Sequence, residues 1–276
     1  MGAKRFLAAA TMLAVAVSLA GCMHRSVDDA GCCSRPERYP PLLVALGEPI
    51  APLVGHALGS VALRPGYLSR TPGAIRHIEE RLRPLDVVVV STKGRLSGRA
   101  VPGLFSHAAL YVGSEAELRR LGVWNDPAVK PHQAAIRAGK TMIEADRKGV
   151  HLSAPETALD TDRAVVLRPR LGEKRRRAAA TDLLSHVGSR FDFHFDNAED
   201  GYLYCVELAM HVMPEIGIPA DRLYGRMTYL PDRLAAAGMT GTGGTRFVLY
   251  VRTDRSDWET ASTRELRADL DAAWRR

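Results

Sequence analysis

Cys205, in the stretch "DGYLYCVELAMHV", is the only cysteine after residue 33. A free cysteine packs as a small hydrophobe and becomes chemical only where something favours its thiolate. Here the acidic loop "DNAEDGY" gives way to "CVELAMHVM", which reads as a helix stopping before Pro214. A thiol at a helix start meets partial positive charge and unpaired backbone N–H groups, the raw material of an oxyanion hole. A nucleophile then needs an imidazole. Of nine histidines, His77 and His186 fall on amphipathic helices, His132 in a loop and His211 on the cysteine's own helix. His107 differs, because Ser106 and His107 form a short polar pair opening an otherwise apolar strand. On spacing alone, His107 is either the base for Cys205 or a structural residue that caps its strand.

The elements that must carry these two groups follow from patterning. "LDVVVVSTKG" is a buried β-branched strand, and "LFSHAALYVG" and "DRAVVLRPR" are further strands. "TMIEADRKGVHLS" reads as two strands around a polar turn from Asp146 to Gly149. "PGAIRHIEERLRP" reads as a helix with Ile75, Ile78 and Leu82 on one face, ended by Pro84. "EKRRRAAATDLLSHVG" reads as a helix closed by Gly188, with its basic residues on a solvated face. "TRFVLYVRT" supplies a late strand and "TRELRADLDAAWRR" a terminal helix. The fold class is therefore α+β, a largely antiparallel sheet packed against helices. "LLVALGEPIAPLVGHALGSVALRPG" is apolar with Gly and Pro breaks, a short helical hairpin expected to pack on the core rather than lie at a membrane surface.

The N-terminus carries Lys4 and Arg5, an uncharged run from Phe6 to Ala20 and then "LAGC" ending at Cys22. That is the layout of a secretory signal, too short for a spanning helix. "LAGC" also resembles a bacterial lipobox, which implies cleavage and lipidation at Cys22. The expected organisation is a signal peptide over 1–21, a flexible tether over 22–40 and one domain over 41–276, with a helical N-terminal extension at 41–84. Loss of Lys4 and Arg5 takes the formal charge from +7 to +5 (7 − 2), a modest surplus that suits anionic lipid, and no nucleic-acid partner is expected. With Cys22 lipidated, Cys32, Cys33 and Cys205 remain, an odd number that leaves one thiol free unless chains pair. No C-x-x-C or H-E-x-x-H occurs, so neither a metal nor a cofactor is expected.

Four segments, "LDVVVV", "FSHAALYVG", "MIEADRKGVHL" and "FDFHFD…YLYCVEL", together resemble the YiiX/YaeF-like permuted papain-fold hydrolases, relatives of NlpC-type peptidases. The likeness covers about residues 85 to 210, in the permuted order of His before Cys. It implies a permuted papain-like fold with Cys205 as nucleophile, His107 as base and Glu144 of "MIEA" as the residue that orients the imidazole. Glu207, Asp86 and His151 are rivals for that third place, although Glu207 lies about 200° around the helix from Cys205. Val206 stands where relatives carry Ser, and Leu85 where they carry Gly, which exposes substrate preference to change while leaving the catalytic groups in place.

The resemblance implies a cysteine hydrolase, and the lipobox places it in the bacterial envelope, expected to be lipid-anchored at the periplasmic face of the outer membrane. Its substrate would be an amide: a peptide, a peptidoglycan stem peptide or an N-acyl amide. Two other readings fit the same residues: acyl transfer between lipids, as in lecithin:retinol acyltransferase-like relatives, and a binding module that holds a ligand without chemistry. Phe191, Phe193 and Phe195 alternate with Asp192, His194 and Asp196 just before the nucleophile. They form either an extended segment burying its aromatics or a cleft wall whose acids favour an amine-bearing substrate.

Overall fold

The computed structural model describes residues 32–33, 41–198, 201–254 and 257–275. Helices α1 (Pro41–Gly47), α2 (Ala51–Ser60) and α3 (Pro72–Glu79) precede β1 (Val87–Val90), α4 (Leu96–Ala100), β2 (His107–Tyr111), α5 (Glu115–Leu121) and α6 (Gln133–Arg137). The chain continues through β3 (Met142–Asp146), β4 (Gly149–Ser153), α7 (Pro155–Ala158), β5 (Arg163–Pro169), α8 (Glu173–Ser185) and α9 (Cys205–Val212). It closes with β6 (Asp221–Leu223), β7 (Arg226–Thr228), α10 (Pro231–Thr240), β8 (Thr245–Asp254), β9 (Asp257–Thr260) and α11 (Thr263–Trp274).

Four consecutive valines make β1 the centre of the sheet, since a strand covered on both faces needs no polar side. All four are fully buried. Val87 and Val89 face a core shared with Leu183 and Leu184 of α8 and Val206 and Leu208 of α9. Val88 and Val90 face a second core with Ala74, Ile75 and Ile78 of α3. Each such valine contributes roughly 1.5–3 kcal/mol by leaving water. The seven strands run in the order β4-β3-β2-β1-β5-β8-β9, and every neighbouring pair is antiparallel. Strands β6 and β7 form a separate hairpin.

The expected strands and helices lie where their patterns place them, with two corrections. Helix α3 ends at Glu79 rather than at Pro84, although Ile75, Ile78 and Leu82 are all buried. The chain enters 3₁₀-like turns at Arg81 and Leu82, whose amides bond to Ile78 and Glu79. The second correction concerns α1 and α2. Pro41–Ser60 is an unbroken helical run with a 3₁₀ turn at Glu48–Ile50 rather than a hairpin, and Leu42, Ile50, Leu53, Val54, Val61 and Leu63 are exposed instead of packing on the core.

Cys22 and the signal sequence lie outside the described residues, as does all of the tether except Cys32 and Cys33. Those two cysteines are disulfide-bonded to each other, and Cys205 is free and buried. Among the described residues no helix is long and apolar enough to cross a membrane.

The β3–β4 turn is held by Gly149, whose φ of +87° only glycine adopts without strain. A Cβ there would also lie 2.4 Å from the Ser189 carbonyl oxygen, which accepts the Val150 amide at 2.9 Å. Gly149→Ala therefore both strains the turn and pushes away the loop leading toward Cys205. The expected cost is about 2 kcal/mol or more, measured as a lower urea midpoint with unchanged m; an unaltered midpoint would contradict the close approach.

Candidate active site

Helix α9 starts at Cys205 because its first turn is closed from both sides. Tyr204 is extended before it (φ −102°, ψ 173°), and the Glu207 carboxylate reaches back to accept the Tyr204 amide at 3.2 Å. Glu207 is thus the acidic partner of a capping arrangement that favours the helix start electrostatically. The Tyr204 hydroxyl donates to Asn197 Oδ1 at 2.5 Å and accepts the Tyr229 amide at 2.6 Å. These bonds fix the residue before the thiol to two loops.

His107 opens β2 and is placed by the loop ahead of it. The Ser106 amide donates to Val90, and its hydroxyl accepts the Thr92 amide at 3.0 Å. Asp232, at the start of α10, accepts the Leu104 and Phe105 amides at 2.7 Å each and the Trp274 indole N–H at 2.6 Å. Buried on all sides, Asp232 has a carboxyl pushed up to about 6, desolvation outweighing those three donors and Lys93. It locks the approach to His107 to α10 and α11. Sequence reading missed it, and the available signal was Pro231-Asp232 opening the helical run "PDRLAAAGM".

Glu144 stands opposite Ala109, on the strand beside that of His107. Its Oε2 lies 3.0 Å from His107 Nε2, and its Oε1 accepts the Ser153 hydroxyl at 2.5 Å. With Nε2 taken by Glu144, Nδ1 of His107 is left for the Cys205 sulfur, which lies within interaction reach of the ring. The structure thus brings Cys205, His107 and Glu144 together.

The charges reinforce one another. Burial alone would lower the His107 pKa, but the Cys205 sulfur and the Glu144 carboxylate outweigh it and hold the imidazole well above its ordinary 6.5. Burial alone would raise Glu144, and His107, Ser153 and His151 together pull it below its ordinary 4.5. A raised histidine stabilises the fold fully below its unfolded value and loses that contribution as pH climbs through the folded one. A lowered carboxylate contributes fully above its unfolded value and fails as pH falls through the folded one. The pair is therefore at full strength between about pH 4.5 and 6.5, the ordinary values of the two groups; on the alkaline side it weakens progressively above 6.5 and is gone once pH exceeds the raised histidine value.

The rivals for the third position have other partners. Asp86 is fully buried and bound by Arg168 through Nε at 2.7 Å and Nη2 at 2.6 Å, with the Arg83 amide at 2.9 Å. It lies beside Tyr111, whereas His107 pairs with Val90, a separation of four strand residues or about 13 Å. His151 pairs with Asp146 at 3.1 Å, across β4 from Glu144. Although burial opposes it, Asp146 is held at about 2 by His151 and the Lys148 amide.

Asp192 is buried, and its two oxygens take the His194 and Asp196 amides at 2.6 Å each. Asp196 in turn accepts the Ala198 amide. These acids brace their own loop. The rings stack edge to face, Phe191 on Phe193 at 4.9 Å and on Phe195 at 5.7 Å, and Phe195 continues to Tyr204 at 5.3 Å. The aromatics are half-buried and brace the residue before the thiol.

A helix-borne thiol beside a strand-borne imidazole, with the histidine strand earlier in the chain, defines a permuted papain-like cysteine hydrolase. The profile of the permuted papain-like amidase family YaeF/YiiX, C92, matches residues 81–262, and the chain belongs to that family. It is a cysteine hydrolase of the amidase and peptidase type. No curated protein and no solved structure gives a significant match.

Asp86→Ala separates structure from chemistry. It strands Arg168, 12% exposed at its side chain, and should cost about 3–5 kcal/mol. Thermal unfolding should show a large fall in Tm, while amide turnover per folded molecule stays within twofold of the parent. A rate loss exceeding the loss of folded protein would return Asp86 to the site.

Proposed function

We propose that this amidase is anchored in the bacterial envelope through a lipid on Cys22 and cleaves amides with Cys205, His107 and Glu144. The observation that carries the catalytic part is the His107 ring, held by Glu144 at 3.0 Å on Nε2, with the Cys205 sulfur near enough to favour the charged imidazole. Cys205, as thiolate, attacks the amide carbonyl and forms the C–S bond. Backbone N–H groups at the start of α9 stabilise the oxyanion. Imidazolium His107 then gives its proton to the leaving nitrogen as the C–N bond breaks. Water attacks the thioester while His107 takes its proton, and the acid leaves with Cys205 restored. Glu144 touches no reacting atom; it fixes the ring orientation and favours the charged form, and Ser153 fixes Glu144.

A peptide, a peptidoglycan stem peptide and an N-acyl amide all present the required carbonyl. Cys22 would be the lipidated residue, placing the enzyme at the periplasmic face of the outer membrane.

Iodoacetamide should label Cys205 at neutral pH at least tenfold faster than the same residue in a His107→Ala variant, read by mass spectrometry of the modified peptide. Cys205→Ser should abolish hydrolysis of an N-acyl amide and of a short peptide amide alike. Equal labelling rates in parent and variant would remove the Cys205–His107 pair from the mechanism.

A further inference from the structure

Among the described side chains of helix α2, the small positions Ala51, Gly55 and Gly59 are half-buried while Leu53 and Val54 are exposed, Leu53 at 73%. A surface helix of a water-soluble protein normally does the opposite. The glycines are needed where they are. A Cβ on Gly55 would lie 2.5 Å from the Phe193 ring, and one on Gly59 would lie 2.8 Å from Arg147 Cδ.

Those two contacts tie the helix to the catalytic surroundings. Phe193 belongs to the ring stack that ends on Tyr204, the residue before Cys205. Arg147 lies in the β3–β4 turn, three residues after Glu144. The outward face continues through Leu42, Ile50, Val61 and Leu63, each at least 42% exposed. In residues 41–63 only Glu48 and His56 are ionisable. An apolar patch of this extent marks an interaction surface.

We propose that the outward face of α1, α2 and the following Val61–Leu63 segment docks into the surface of a lipid bilayer. The chain order favours lipid over a second copy. Only 19 residues separate Cys22 from Pro41 (41 − 22), and a chain of that length spans at most about 65 Å; within it Cys33 is buried and its carbonyl oxygen accepts Arg233 Nη2 at 3.4 Å. A lipid on Cys22 therefore keeps the patch within reach of the membrane, and the positive charge surplus favours an anionic surface. This placement rests on the anchor reading; the apolar face itself does not.

The test uses the full chain reconstituted with vesicles of phosphatidylglycerol and phosphatidylethanolamine whose acyl chains are brominated. Leu53→Trp adds one indole to the native Trp124, Trp258 and Trp274, so the parent serves as the blank. Co-flotation with the vesicles and at least twofold quenching of the added emission is the expected result. Repeating it in a Cys22→Ala background separates the two ideas: retained quenching supports docking and counts against the need for an anchor. Co-flotation with the added indole unquenched overturns docking while leaving the anchor in place, and absence of co-flotation overturns both. A concentration-dependent dimer whose added indole stays unquenched on vesicles assigns the face to a second copy and overturns the proposal. An unchanged rate of Cys205 alkylation in Leu53→Trp confirms that the variant is folded.

Discussion

The charged contact between the His107 ring and Glu144, with the Cys205 sulfur close by, is the interaction to which the surrounding structure answers. Neither member belongs in low dielectric alone, since desolvation opposes the charged form of both His107 and Glu144. Each is tolerable only because the other is there, at 3.0 Å and with Ser153 taking the remaining carboxylate oxygen. The fold supplies the geometry by putting β2 and β3 side by side, so that Glu144 falls opposite Ala109, two residues along from His107. Three elements distant in sequence then fix the rest. Glu207 closes the first turn behind Cys205, Asp232 clamps the loop entering β2, and the Phe191–Phe193–Phe195 stack braces Tyr204.

Much of this was legible in the sequence, and the reasons are specific. Val87–Val90 could be nothing but a doubly covered strand, and the Asp146–Gly149 turn announced the β3–β4 hairpin through its composition. Cys205 and His107 stood out because a thiol at a helix start and a polar pair opening an apolar strand are local signals. Glu144 was reached only through family resemblance, since nothing about a single Glu in "MIEADRKG" distinguishes it from Asp86 or Glu207. Its pairing depends on strand register, which the sequence does not print. Asp232 escaped for the same reason: it acts on residues 127 and 128 positions away.

One reading fails for a physical rather than a statistical reason. The apolar composition of residues 41–65 predicts core packing, but composition does not say which face of a helix turns inward. Gly55 and Gly59 decide it, because only small residues allow α2 to approach Phe193 and Arg147 so closely. Before Cys205, Asp192 accepts two backbone amides of its own tight loop. Short acidic side chains beside such amides satisfy the chain before they meet a ligand.

Nuclear magnetic resonance titration of the His107 imidazole addresses the central interaction most directly, with Cys205→Ala and Glu144→Gln measured beside the parent. The account predicts that the parent ring stays protonated well above pH 6.5, and that each substitution lowers its pKa. A ring that titrates at or below 6.5 and responds to neither substitution would contradict the coupled Cys205–His107–Glu144 arrangement.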